Sequence, residues 1–174
     1  MVEDQFSLET ADAIIEASKL PTGGSYTSIG TYPHEEMLTL VQQLSHRVDI
    51  AVSDLLKHFG RHLFKRFTVI HPEYVTTHSS AFDLLSLLDD HVHVEVRKLY
   101  RDAELPSFEH ERLANDKMLF VYRSRRSLAD FAEGLIEGCV AHFEEPMQID
   151  RIDLPADAEG AHARFTLTRL HGQT

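Results

Sequence analysis

The chain has 174 residues and a formal net charge of −11; it is long enough for one domain with a real core and too acidic for non-specific binding to nucleic acid or an anionic membrane, which needs a basic face. Apolar residues make up 43% and charged residues 26%, the balance of a globular protein, and the single cysteine, Cys139, excludes an internal disulfide and a Cys-rich zinc cage. No apolar run approaches the ~18–20 residues of a membrane span, and "MVEDQF" lacks the basic and apolar regions of a signal peptide, so a cytoplasmic setting is expected.

Residues 3–18 read as a short helix with a modest apolar side from Phe6, Ala13 and Ile14. The stretch "LPTGGSYTSIGTYP" that follows is loop by composition. A helix is predicted from about His34 to Val48, with Met37, Leu40, Val41 and Leu44 at helical spacing. A second, over 52–67, carries a one-sided stripe of Leu56, Phe59, Leu63, Phe64 and Phe67. Gly60 sits inside it at a cost of roughly 1 kcal/mol relative to Ala, which close approach of another group would explain. After a connector at 71–80, the longest helix is predicted over about 80–100, buried along Phe82, Leu85, Leu88, Val92, Val96 and Leu99.

Pro106 breaks that helix and leads into a first strand, and a second strand covers 117–124. A helix is predicted over about 128–143, opened by the capping-box-like pair Ser127 and Asp130, with Phe131, Leu135 and Cys139 along one side. Two β-like runs, 147–153 and 163–170, are joined by the turn-rich "LPADAEGAH". The order implies one α+β domain: a helical N-terminal lobe over about 1–67, and a lobe over about 80–174 with a roughly four-stranded antiparallel sheet.

Two clusters carry candidate chemistry. In "DDHVHVEV" the two histidines are two residues apart and, on a helix, point about 200° away from one another. They cannot chelate one ion together, so His91 and His93 do not make a multi-histidine zinc site. His93, one turn from Asp89 and Val96, borders the apolar stripe, where it is either a satisfied core histidine or the single axial ligand that a five-coordinate haem requires. In "VYRSRRS", Tyr122, Ser124 and Arg126 are spaced two apart, on one face of an extended chain. They are either a solvated strand end or an anion clamp, since two hydroxyls and a guanidinium can bind a pair of carboxylates. Cys139, mid-helix among apolar residues, reads as an inert buried thiol, and no phosphate-binding or nucleophile-elbow motif is present.

Taken together, "HVEVRKLY", "LPSFE" and "VYRSRRSLADFAEGLIEG" resemble the haem–nitric oxide/oxygen binding (H-NOX, or HNOB) family, the sensor domain shared by bacterial gas sensors and soluble guanylate cyclase β. The family's Y-x-S-x-R motif stands here as Tyr122, Ser124 and Arg126, and its proximal histidine, seven residues before a helix-ending tyrosine, falls at His93 before Tyr100. "TYPHEEML", "DLLKHFGRHLF" and "AEGLIEGCVAHF" extend the likeness over about residues 5–150. The resemblance implies haem b between the two lobes, with His93 on the iron and Tyr122, Ser124 and Arg126 on the propionates. Arg123 and Arg125 alternate to the other face and stay outside that clamp.

The gas side would be lined by Leu63, Phe67, Phe131 and Leu135. Family members that hold O₂ stably carry a tyrosine where this chain has Phe131, and a phenyl ring offers no hydrogen bond. NO and CO binding with O₂ excluded is therefore expected. Family members usually start further upstream with an apolar segment, whereas Met1 here falls inside the first helix, which implies a truncated start or a more open pocket. The proline often found after the helix-ending tyrosine is Arg101, so haem distortion is not expected.

The resemblance thus implies a stand-alone NO sensor and not an enzyme. NO would weaken the iron–His93 bond, and the shift would pass to a separate protein such as a histidine kinase or a cyclic-di-GMP enzyme. Two rivals stay open: a haem-free relative kept as a protein-interaction or regulatory module, and a small oxidoreductase or gas-storage protein.

Overall fold

The computed structural model describes residues 1–27, 30–101, 103–157 and 160–170, apart from the side chain of Leu99. The predicted N-terminal helix is two: α1 (Val2–Gln5) and α2 (Leu8–Ser18), split where the Ser7 hydroxyl caps α2 by accepting from the Thr10 N–H at 3.1 Å. Helices α3 (His34–Val48) and α4 (Val52–Ile70) follow, the second running one turn past its predicted end. Ile14, Leu44 and Leu55 bury a small core where α2, α3 and the start of α4 meet, flanked by Phe6 and Leu40.

The long helix predicted over about 80–100 is three pieces. After α5 (Glu73–Thr76) come α6 (Ala81–Ser86), a π-helical turn (Leu88–Val92) and α7 (His93–Leu99). Ser80 caps α6 by accepting from the Asp83 N–H at 3.1 Å. The break explains why the stripe fails as one face: Phe82 and Leu85 are buried, whereas Leu88, Val92 and Val96 are only partly so. The side chain of Leu99, the last position of that stripe, lies outside the described residues. A π turn adds a residue to the helical repeat and is used mostly as a single-turn device next to functional side chains; here it ends directly before His93.

The remaining elements are β1 (Ser107–Ala114), β2 (Lys117–Ser124), α8 (Ala129–His142), β3 (Met147–Asp157) and β4 (Gly160–Arg169). They form a four-stranded antiparallel sheet of order β1-β2-β4-β3, as expected. Much of the stretch read as turn-rich, "LPADAEGAH", is strand, with Leu154 opposite His162 and Asp157 opposite Gly160. The inner face presents Met118, Phe120 and Tyr122 from β2 and Ala163, Phe165 and Leu167 from β4, which alternate inward at the period of a strand.

This face packs on α6 and α8 in the larger core. Helix α8 also lies directly on α4. A Cβ on Gly134 would sit 2.0 Å from the Lys57 carbonyl oxygen, and one on Gly60 would sit 2.4 Å from that of Phe131. Glycine inside α4 is therefore the condition for backbone-to-backbone contact. Lys57–Glu133 at 2.8 Å and the Arg61–Glu137 pair flank the crossing. The capping box does not form, since α8 has no side-chain cap. Asp130 instead meets Arg151 of β3 at 2.6 Å, and Arg151 also reaches Glu133 at 3.0 Å, tying the helix to the sheet. No described helix is long and apolar enough to cross a membrane.

Candidate functional site

Between α4, α6, α7, α8 and the inner face of β2 lies a mainly apolar cavity of about 490 Å³, within the range of small-molecule and cofactor sites. His93 is on its wall and is 8% exposed. Its Nδ1 is 2.6 Å from Asp89 Oδ1, one turn earlier, and Asp89 Oδ2 accepts from the Phe108 N–H of β1 at 2.7 Å. Phe108 also faces the imidazole, ring to ring, at 5.6 Å. Burial opposes the charge on Asp89, but the hydrogen bonds from His93 and from the Phe108 N–H outweigh it and hold the carboxyl below the usual range. A carboxylate on Nδ1 fixes the tautomer and leaves the Nε2 lone pair available to a ligand, the arrangement of metal-binding histidines. His91 is exposed, and no cluster of three or more His, Cys, Asp or Glu suited to a metal occurs among the described residues.

Tyr122, Ser124 and Arg126 all line the same cavity, but not as one face of a strand. Strand β2 ends at Ser124, and the chain turns before Arg126. The Tyr122 hydroxyl donates to the Arg126 carbonyl at 3.2 Å, and Ser124 Oγ accepts from the Arg126 N–H at 3.1 Å. The two hydroxyls thus staple the turn that presents the arginine. Burial pushes the Tyr122 phenol up, against the Ser124 hydrogen bond, so it stays a neutral donor. The Arg126 guanidinium reaches Glu104 at 3.4 Å, and its Nε is buried with no hydrogen-bond partner among the described residues. A buried orphan donor on a guanidinium calls for an anionic acceptor.

Leu63, Phe67, Phe131 and Leu135 line the cavity from α4 and α8, with Phe131 braced on Phe59 at 5.2 Å between ring centroids. Cys139 lies on the same wall, and burial pushes its thiol up, in keeping with an inert sulfur. Arg66 and His71 also border the cavity, unforeseen from the sequence. His71 packs at a tilt against Phe67 and Tyr74 and has Nδ1 3.3 Å from Glu73, with its side chain 39% exposed, which places it at the rim. Asp89 was legible as an acid four residues before a helical histidine; Phe108 was not, because strand pairing brings it there.

The family model described as haem-NO-binding matches residues 1–151. Among solved structures, the Fe(II) unliganded H-NOX protein of K. algicida is 36% identical, with a TM-score of 0.88 over 99% of this chain and 92% of that one. The H-NOX of Shewanella woodyi, solved with IWP-051 bound in the Fe(II)CO state, is 40% identical, with a TM-score of 0.82 over 99% of this chain and 90% of that one. That of S. oneidensis in the Fe(II)NO state is 27% identical, with a TM-score of 0.86 over 98% of this chain and 94% of that one. No curated protein matches the chain.

Proposed function

This chain belongs to the haem-NO-binding family of haem-based gas sensors, and we propose that it senses NO and CO, excludes O₂, and signals in the cytoplasm to a separate protein. The observation that carries this reading is the Phe108–Asp89–His93 chain on the wall of a cavity that is also lined by Arg126, whose buried Nε has no hydrogen-bond partner among the described residues. The residues fit a haem at both ends: a tautomer-fixed imidazole for iron, and a buried guanidinium donor for a propionate. When bound, the haem would supply a ferrous iron able to take an imidazole nitrogen and a diatomic gas.

His93 would be the iron ligand, with Asp89 setting its orientation and basicity. Arg126 would bind a propionate, while Tyr122 and Ser124 hold its turn. Leu63, Phe67, Phe131 and Leu135 would surround the gas. None of these four side chains donates a hydrogen bond, so O₂, which acquires partial negative charge when held, gains nothing there, whereas NO and CO do not depend on a donor. His93 is also the first residue of α7, so its anchorage sets where that helix sits. Gas binding would shift the population between two placements of α7, to be read by a partner such as a histidine kinase or a cyclic-di-GMP enzyme. The chain acts as a sensor and not as an enzyme.

Absorption spectra of the reduced protein test this directly. A Soret band should survive purification, move with NO and with CO, show no stable oxygenated form in air, and disappear in His93→Ala. A purified protein without a Soret band, or a His93→Ala spectrum like that of the parent, would sink the reading and restore the haem-free module.

A further inference from the structure

A second cleft, of about 320 Å³, opens on the solvent side of the motif turn. Its walls are Arg97 of α7 and Arg123, Arg125 and Arg126 at the end of β2, with Ser107 and Glu104 between them. Arg123 and Arg125 therefore share a surface with Arg126, although strand alternation placed them opposite. Four guanidinium groups stand against two carboxylates, Glu104 in the lining and Glu109 on Arg123, which leaves two net positive charges in one cleft of a chain whose net charge is −11. Like charges gathered this closely repel one another unless an anion offsets them.

Arg123 is engaged by Glu109 at 3.0 Å, and Arg126 serves the neighbouring cavity. Arg97 and Arg125 are exposed and make no hydrogen bond or ion pair with any described residue. Their planar forks match the oxygens of a phosphate two at a time. They come from different elements, so one ligand can bridge them, and the cleft volume suits a small molecule.

We propose that this cleft binds a small anion carrying two phosphate groups, with Arg97 and Arg125 as its principal contacts. Arg97 lies one turn beyond His93 on α7, whereas Arg125 follows β2. A displacement of α7 changes the gap between the two arginines, so anion affinity and gas occupancy are reciprocally linked. That linkage rests on the gas-sensing reading above; the binding itself does not.

Calorimetric titration of inorganic pyrophosphate into the reduced, haem-loaded protein should show saturable one-site binding. Arg97→Ala and Arg125→Ala should each weaken it about tenfold or more, with Arg125→Lys intermediate and the Soret intensity unchanged throughout. Lys98→Ala should have no effect, since Lys98 is already paired with Glu95. Saturating NO should shift the pyrophosphate affinity several-fold. Absence of saturable binding overturns the proposal, and so does equal weakening by Lys98→Ala, which would mark general screening. Haem loss from the Arg97 and Arg125 variants also overturns it, by assigning both arginines to the haem clamp. Binding that ignores NO removes the linkage, while a Soret band that ignores NO removes the gas-sensing reading and leaves the cleft standing.

Discussion

Asp89 and His93 are joined across one helical turn by a 2.6 Å contact, and the second oxygen of the same carboxylate is held at 2.7 Å by the Phe108 N–H. One side chain thereby fixes the imidazole of α7 to the edge strand of the sheet. Asp89→Asn keeps the size but weakens both bonds. Loss of such an outer partner typically costs about 10–100-fold in affinity of the ligated group, so the variant should lose haem faster by about that factor. Haem transfer to an excess of apomyoglobin measures it, and an unchanged rate would show that His93 needs no orienting carboxylate.

The same carboxyl predicts a pH dependence. Its folded-state pKa is lowered, despite burial, by the His93 and Phe108 hydrogen bonds. A depressed carboxyl contributes stability that is complete above the unfolded value, about 3.9 for Asp, and is lost as pH falls through the folded value. Urea midpoints of the wild type should therefore fall on acidification below about pH 4 more steeply than those of Asp89→Asn. Parallel curves would remove Asp89 from the acid-sensitive groups.

Glycine at the α4–α8 crossing gives a graded test. An alanine at an exposed helical position gains roughly 1 kcal/mol over glycine, so the bland expectation is stabilisation. At Gly134 and Gly60, however, the new Cβ would meet backbone carbonyl oxygens at 2.0 and 2.4 Å, whereas at Gly138 it would meet the Phe64 Cβ at 2.8 Å. Neither a backbone atom nor the Phe64 Cβ can rotate away, so the clash deepens as the distance shortens, and overpacking costs about 1–3 kcal/mol. Gly134→Ala should destabilise most, Gly60→Ala next and Gly138→Ala least, read from urea denaturation. A stabilised Gly134→Ala would mean that the helices do not touch through their backbones.

Much of this was legible in the sequence because it depends on local pattern. The stripe of α4, the alternation of β2 and the Gly60 anomaly each point to a packed neighbour from spacing alone. Three features were not. The interruption of the predicted 80–100 helix follows from tertiary packing, since nothing between Ser86 and His93 is a strong breaker. Asp130 reads as a cap but is taken by Arg151, a residue of β3 that only the sheet brings near. Arg126 lies beyond the end of its strand, so a period of two placed it on the correct cavity for a reason the turn geometry replaces.

Phe131 is the residue on which exclusion of O₂ depends in the proposed reading. It lines the cavity and rests on Phe59, while Leu63, Phe67 and Leu135 beside it also lack a donor. Phe131→Tyr adds one hydroxyl to an apolar wall without changing the ring. A hydrogen bond to a charged acceptor contributes about 1.5–3 kcal/mol, so the affinity of the reduced protein for O₂ should rise at least about tenfold, with that for CO nearly unchanged. Equilibrium titration with both gases reads the difference. A wild type that already holds O₂ stably, or a variant that gains nothing, would place the selectivity elsewhere, with His71 at the rim the next residue to replace.

Arg126 and Arg125 are neighbours in different surroundings, the first lining the cavity and the second not, and the geometry allows a clean separation. The turn is held by backbone groups of residue 126, which receive the Tyr122 hydroxyl and donate to Ser124 Oγ. Arg126→Ala therefore keeps the staple and removes only the guanidinium, including the buried Nε that has no partner among the described residues. Without that charge-assisted hydrogen bond, haem should dissociate about tenfold faster, and Arg126→Lys should recover part of the retention because a point charge cannot replace the fork. Arg125 is exposed and outside the cavity lining, so Arg125→Ala should lose haem at the wild-type rate. If the two alanine variants release haem alike, the guanidinium of Arg126 is not a propionate clamp, and "VYRSRRS" returns to being a solvated strand end.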